Sequence, residues 1–380
     1  MGWLRFFVAG LKLGSVGFGG GLAVLAMIRR EFVERRRVVG EDEFAEMAAL
    51  AQALPGAVSV NAITILGTRV SGWWAGLVAG WGFVLPSFLM MLFLAVTYPA
   101  FRYLPYADSA LIGMTAAVVA LVAATALQLG RAGAVASRLD VVVAIGSFLP
   151  AAFHWAGVLE IVLLAGFVGI ASAAVGRAGA TAVVAPPWLG SLLLGGASLG
   201  TVVALGSVFL RIGAATFGGG FVMIPFIEHE VVLRHAWLDH TAFADAIALG
   251  QVTPGPVVIS ATFIGYRVAG LLGAVVATVA VFLPPGILAV AAGSALDRFA
   301  HNEHVTAFLA GIKPAVVGLL ASAALALGRA GLHDATEWAI AAAAFLVLLR
   351  WRPHPLAVLT GAAGLHLLVH EGFAALALAF

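Results

Sequence analysis

The stretch Phe18-Gly19-Gly20-Gly21 returns as Phe217-Gly218-Gly219-Gly220, and its surroundings return with it. At one constant offset Lys12 is answered by Arg211, Gly14 by Gly213, Glu31 by Glu230, Phe44 by Phe243 and Glu46 by Asp245. Gln52, Pro55 and Gly56 are answered in the same register by Gln251, Pro254 and Gly255. After a single-residue slip, Gly67, Arg69, Gly72, Leu85 and Pro86 meet Gly265, Arg267, Gly270, Leu283 and Pro284. A register kept through this many glycine and polar positions is a tandem duplication, so the chain must fold as two copies of one plan. The expected units are residues 1–176 and 198–380, joined by a Gly/Ala/Pro linker over 177–197.

Only 10% of the 380 residues are charged and 62% are hydrophobic, against roughly 25% charged in ordinary globular domains. Apolar runs of about 20 residues, the length of a spanning helix, recur from end to end. They do not alternate as the strands of a membrane β-barrel must. The fold class that follows is an all-α polytopic membrane protein of two homologous helical repeats. The start carries no cleavable signal pattern and reads as an internal signal-anchor. With no cysteine, disulfides and thiolate metal sites are excluded. No cofactor or metal is expected, and no basic patch with interleaved aromatics points to nucleic acid; the lipid bilayer is the implied surroundings.

Apolar segments run over 3–28, 44–66, 72–94, 110–129, 139–152 and 158–174, and again over 198–227, 243–264, 271–292, 305–327, 336–349 and 356–369. That gives about ten to twelve crossings. In each repeat the first segment is interrupted by Gly-Gly-Gly and the second by Pro-Gly. Glycine costs a helix roughly 1 kcal/mol relative to alanine, and in lipid the freed backbone must be satisfied by protein or cavity water. Matching breaks in both halves therefore predict broken or re-entrant helices around a transport site. Spacings such as Gly10–Gly14 and Gly76–Gly80 read instead as close helix packing. The loop after the first motif holds Arg29, Arg30, Arg35, Arg36 and Arg37, while its counterpart holds Arg234 beside Glu228, Glu230 and Asp239. By the positive-inside bias the two repeats are expected to be inverted relative to one another.

Ionisable residues inside apolar segments are the candidates for function. Lys12 and Arg211 either attract an anion or snorkel. Arg69 and Arg267 are charge-partner candidates or helix-end anchors. Glu31, Glu46, Glu230 and Asp245 are candidates for coupling to a proton, with helix capping as the plainer account of Glu46 and Asp245. Gln52 and Gln251 contact a ligand or bond the broken backbone, and Asn61 is matched only by Ser260. Lys313 is an unpaired cation, since Thr115 takes its place in the first half. The substrate-binding set is thus Lys12, Phe18, Gly19, Gly20, Gly21, Gln52, Pro55 and Gly56, with Arg211, Phe217, Gly218, Gly219, Gly220, Gln251, Pro254 and Gly255. Half-helix N-termini at glycine-rich breaks favour a small anion. There is no phosphate-binding Walker loop and no nucleophile with its base, so the chain is not expected to be an enzyme. Rivals are a membrane-embedded transferase, which needs an asymmetric catalytic cluster, and a passive channel.

Phe-Gly-Gly-Gly, a Glu about ten residues on, Gln-x-x-Pro-Gly-Pro and a later Leu-Pro resemble the chromate transporter family in its long-chain, two-domain form. Gln251-Val252-Thr253-Pro254-Gly255-Pro256 fits the motif fully, whereas the first copy departs at Ala57. Trp237 fits an aromatic common in the family's loop, and Val38 departs from it. The resemblance implies export of chromate across the inner membrane of a prokaryote, driven by the proton gradient and giving chromate resistance. It also implies halves of opposite orientation. Sulfate, of the same shape and charge, stays open as substrate. Two repeats already form an internal pair, so a homodimer is allowed but not demanded.

Overall fold

The computed structural model describes residues 2–17, 20–102, 104–153, 155–175, 199–217, 220, 223–294, 303–351 and 353–377. The expected linker over 177–197 lies outside them, as do Phe18, Gly19, Gly218 and Gly219. Among the described residues there are fifteen α-helices and no strand. The first half runs α1 Trp3–Val16, α2 Gly20–Arg29, α3 Glu41–Ala53, α4 Val58–Ser71, α5 Trp73–Phe101, α6 Pro105–Leu129, α7 Arg138–Ala152 and α8 Val158–Val175. The second runs α9 Leu199–Ala215, α10 Met223–Ile227, α11 His240–Val252, α12 Ser260–Ser294, α13 Glu303–Gly331, α14 Ala335–Arg350 and α15 Pro355–Ala377. Helix α12 departs from helical geometry at Ala269 and Gly270, where the first half has Gly72 between α4 and α5. Its two arms are the counterparts of those two helices.

Both breaks per half fold the chain back. Phe6 and Phe32 stack at 5.7 Å, although one lies eleven residues before Gly17 and the other well beyond Gly20. The arms, 14 residues in α1 and 10 in α2 with a further 6 in the π-helical stretch Arg30–Arg35, are at about 1.5 Å per residue also short of a hydrocarbon core of about 30 Å. The Pro-Gly break does the same: Arg69 near the end of α4 meets Glu43 at the start of α3, 3.1 Å apart. Both breaks thus form hairpins of short arms, in keeping with the expected broken or re-entrant helices. Among the described residues four helices are long and apolar enough to cross a membrane, Trp73–Phe101, Tyr106–Ala134, Val257–Ser294 and Ala307–Gly331. They form two pairs of repeat equivalents.

Small residues let the hairpins seat closely. A side chain at Gly14 would overlap the backbone of Phe83 on α5, and one at Gly213 the backbone of Val281 on α12. The expected packing role of such glycines is met here. The outer helices are exchanged between halves. α7 and α8 pack on α13, while α14 and α15 pack on α6. α6 and α13 also touch one another.

Candidate functional site

The four chain breaks close into a ring. Within each half the glycine break lies against the residue that restarts the chain after Pro-Gly, Gly21 against Val58 and Gly220 against Val257. Between halves the contacts are reciprocal. Gly56 N donates to Thr216 O at 2.7 Å, and Gly255 N donates to Gly17 O at 3.0 Å. Thr216 and Gly17 are equivalent positions, so the pair of bonds expresses a pseudo-two-fold relation between the halves. Gly56 and Gly255 have φ of 97° and 106°, a left-handed backbone that only glycine adopts freely. Their neighbours are reciprocal too: a side chain at Gly56 would overlap Pro285, and one at Gly255 would overlap Ser87. Ser87 also donates its hydroxyl to Pro254 O.

The ring gathers polar groups whose bonding is incomplete. Asn61 donates Nδ2 to Pro55 O at 2.8 Å, but its Oδ1 is buried and unpartnered among the described residues. Ser260, its equivalent, is fully buried, with Oγ in the same condition. So is Gln251 Nε2. Buried polar atoms are paired in more than nine cases of ten, so three such atoms flanking one set of breaks mark a place for water or ligand. The mismatch of Asn61 with Ser260 weakens that position in a comparison of repeats, yet both are polar residues early in the arm after Pro-Gly. Gln52 behaves differently from Gln251: it is exposed and donates to Ala48 O of its own helix at 3.0 Å. Phe217 packs edge-on to Phe308 of α13 at 6.2 Å.

The charged candidates sit toward the hairpin bases. Lys12 is exposed and lines a cleft of about 470 Å³ with Arg30, Glu31 and Arg35. Glu31 pairs with Arg36 at 2.6 Å. Burial works against its charge, but the hydrogen bond and charge of Arg36, then Arg35 and Lys12, hold the carboxyl below its ordinary range. The second half repeats the cluster: Arg211 lies 3.4 Å and Arg234 3.2 Å from Glu230. Arg267 stacks over the Tyr98 ring at 5.4 Å. Lys313 is exposed on α13, beside Pro314.

Glu46 and Asp245 occupy equivalent places in unlike surroundings. Both lie past the first turn of their helices, and on α11 Asp239 is the capping residue, accepting from Ala242 N. Helix capping therefore does not account for them. Glu46 is exposed. Asp245 is 3% exposed, accepts from Tyr98 at 2.6 Å and pairs with Arg102 at 3.0 Å. Tyr98 and Arg102 come from the first half, and their equivalents by register are Leu296 and Ala300. Neither of those two residues carries a group that could pair with a carboxylate at Glu46. Among the described residues no group of three or more metal-binding side chains occurs.

The family model described as chromate transporter matches this chain twice, over residues 4–171 and 203–367. The chain belongs to the chromate transporter family. Among its relatives is a probable chromate transport protein of Synechococcus elongatus, 31% identical over 93% of this chain and 92% of the relative. The chromate transport proteins of Pseudomonas aeruginosa and Cupriavidus metallidurans are similar at 34% and 31% identity, over 87% and 90% of this chain and 82% and 86% of theirs. No solved structure matches the chain. As a member of the chromate transporter family with four long apolar helices among the described residues, it is a multi-pass membrane protein, and the two matched regions are its two repeats.

Proposed function

We propose that this chain is a secondary active transporter that exports chromate from the cytoplasm across a prokaryotic inner membrane, coupled to the proton gradient, and so gives chromate resistance. The observation that carries the reading is the closed ring of four breaks. The C-terminal carbonyls at Gly17 and Thr216 are already capped by Gly255 and Gly56. The half-helix starts at Gly20 and Val58 present first-turn N–H groups that a helix cannot satisfy within itself, and the positive ends of their dipoles. Such ends bind tetrahedral oxyanions, and Gln251 and Ser260 add donors beside them. Lys12 and Arg211, each beside a glutamate, attract the anion toward the hairpins rather than coordinate it. The substrate-binding set named from the sequence contributes through its backbone at the breaks. Among the coupling candidates, Asp245 is supported best, because it is buried and joins the halves. Units of 1–176 and 198–380 inserted in opposite orientation, as the arginine bias supports, would turn the pseudo-two-fold relation into alternating access.

The test is labelled chromate uptake into inside-out vesicles, with the proton gradient imposed or collapsed and sulfate as competitor. Gradient-dependent accumulation that withstands excess sulfate is expected. Accumulation abolished by sulfate would reassign the substrate, and flux that only equilibrates would make the chain a channel. Unchanged uptake after Lys12→Ala with Arg211→Ala would remove those two residues from the anion's path.

A further inference from the structure

Positions 29 and 41 of the first half correspond to 228 and 240 of the second, at the offset that relates the two glycine motifs. In the first half they hold Arg29 and Glu41, joined at 2.9 Å through Nε and Oε2. In the second they hold Glu228 and His240, with Oε1 and Nδ1 3.7 Å apart. Acid and base have exchanged places, and the guanidinium has given way to an imidazole. Burial has changed as well. Arg29 and Glu41 are both about half exposed, whereas Glu228 is 5% exposed and only His240 reaches the surface.

Glu228 lines a cavity of about 320 Å³. The polar groups facing it are His229 on its own turn, His240 at the start of α11, and Ser322 and Arg329 from α13. α7, the start of α8 and the chain between them contribute only apolar side chains to this wall. Glu230, two residues on, is engaged with Arg211 and Arg234.

We propose that Glu228 and His240 form a proton-exchange site of the second half, loaded and emptied during transport. The proposal rests on the proton-coupled reading above and adds a group to it. When the site empties, the Glu228 O–H bond breaks and the proton passes to the imidazole or to water in the cavity. Burial alone raises the Glu228 carboxyl to about 7, so its proton is exchangeable at working pH. Both groups lie at the base of the hairpin, outside the four long spans, where water can reach the exposed imidazole.

Two measurements on the full chain in proteoliposomes test this. Infrared difference spectra between about pH 6 and about pH 8, on either side of neutrality, should show one carboxyl band that titrates. That band should vanish in Glu228→Gln and persist, displaced along the pH axis, in His240→Gln. Chromate uptake against pH should lose its neutral-range inflection in Glu228→Gln and keep a displaced one in Glu228→Asp. The charge exchange Glu228→Arg with His240→Glu rebuilds the first-half pair and should abolish the inflection while the chain stays folded. No titrating band in the wild-type chain, or a band and profile untouched by Glu228→Gln, would overturn the proposal. A titrating Glu228 in a chain that moves no chromate would leave the proton site standing and sink the transport reading instead.

Discussion

The first half closes its hairpin bases with permanent charges, and the second half closes the same places with groups that are buried, shared or able to titrate. Arg29–Glu41 and Arg69–Glu43 are exposed pairs of ordinary surface type, which add little to stability. Their counterparts are Glu228–His240 and an Arg267 that has left carboxylates for the face of Tyr98. The contrast sharpens at Glu46 and Asp245, one exposed and the other held by two residues of the opposite half. One plan, used twice, has thus been divided into a half that anchors and a half that carries the buried chemistry. The ring of breaks belongs to both equally.

The largest effect should come from breaking what the halves share. Gly56→Ala forces a side chain into a left-handed backbone and into the ring of Pro285, costs on the order of 1–3 kcal/mol for each fault. Uptake should be lost, with lowered thermal stability of the purified protein. Gly255→Ala meets only the Ser87 side chain, so adding Ser87→Gly should recover part of its loss, an outcome with no parallel at Gly56. Next is Asp245→Asn against Glu46→Gln. Removing one charge of a buried pair costs about 3–5 kcal/mol, whereas exposed substitutions stay within about 0.5 kcal/mol. Equal shifts in melting temperature for the two would erase the asymmetry argued here.

A smaller separation is expected between the glutamines. Gln251→Leu should weaken chromate uptake several-fold, about 1 kcal/mol for a hydrogen bond, while Gln52→Leu should change it little. The least effect should follow Arg29→Ala, because solvent screens an exposed pair and leaves it little to contribute. Urea denaturation of the vesicle-reconstituted protein would show it as a shift at the edge of detection.

Much of this was legible in the residues. Gly-Gly-Gly and Pro-Gly cannot continue a helix, and their recurrence placed both hairpins of both halves. The register of repeats also held the signal for the asymmetry at Asp245, because Tyr98 and Arg102 align with Leu296 and Ala300. A buried acid needs a partner that only one half can supply. The ring itself was not legible, since Gly56 N–Thr216 O is a contact between segments with no local pattern in common. Nor was the exchange of outer helices. Helices apolar on every side, such as α8 and α15, carry no stripe to say which neighbour they cover. Asn61 and Ser260 were discounted because the repeat comparison weighed identity, while the ring requires only a short polar side chain.

The exchange of outer helices has a consequence for how the protein is made. Helices α7 and α8 leave the ribosome well before α13, the helix they cover, with roughly 130 residues still to be added. At usual rates of synthesis that is an interval on the order of ten seconds. For that time the finished first half sits in the bilayer with one wall facing lipid, and α6 waits longer still for α14 and α15. A newborn half is therefore an open surface of defined shape, and its rightful second half must reach it before any other chain does.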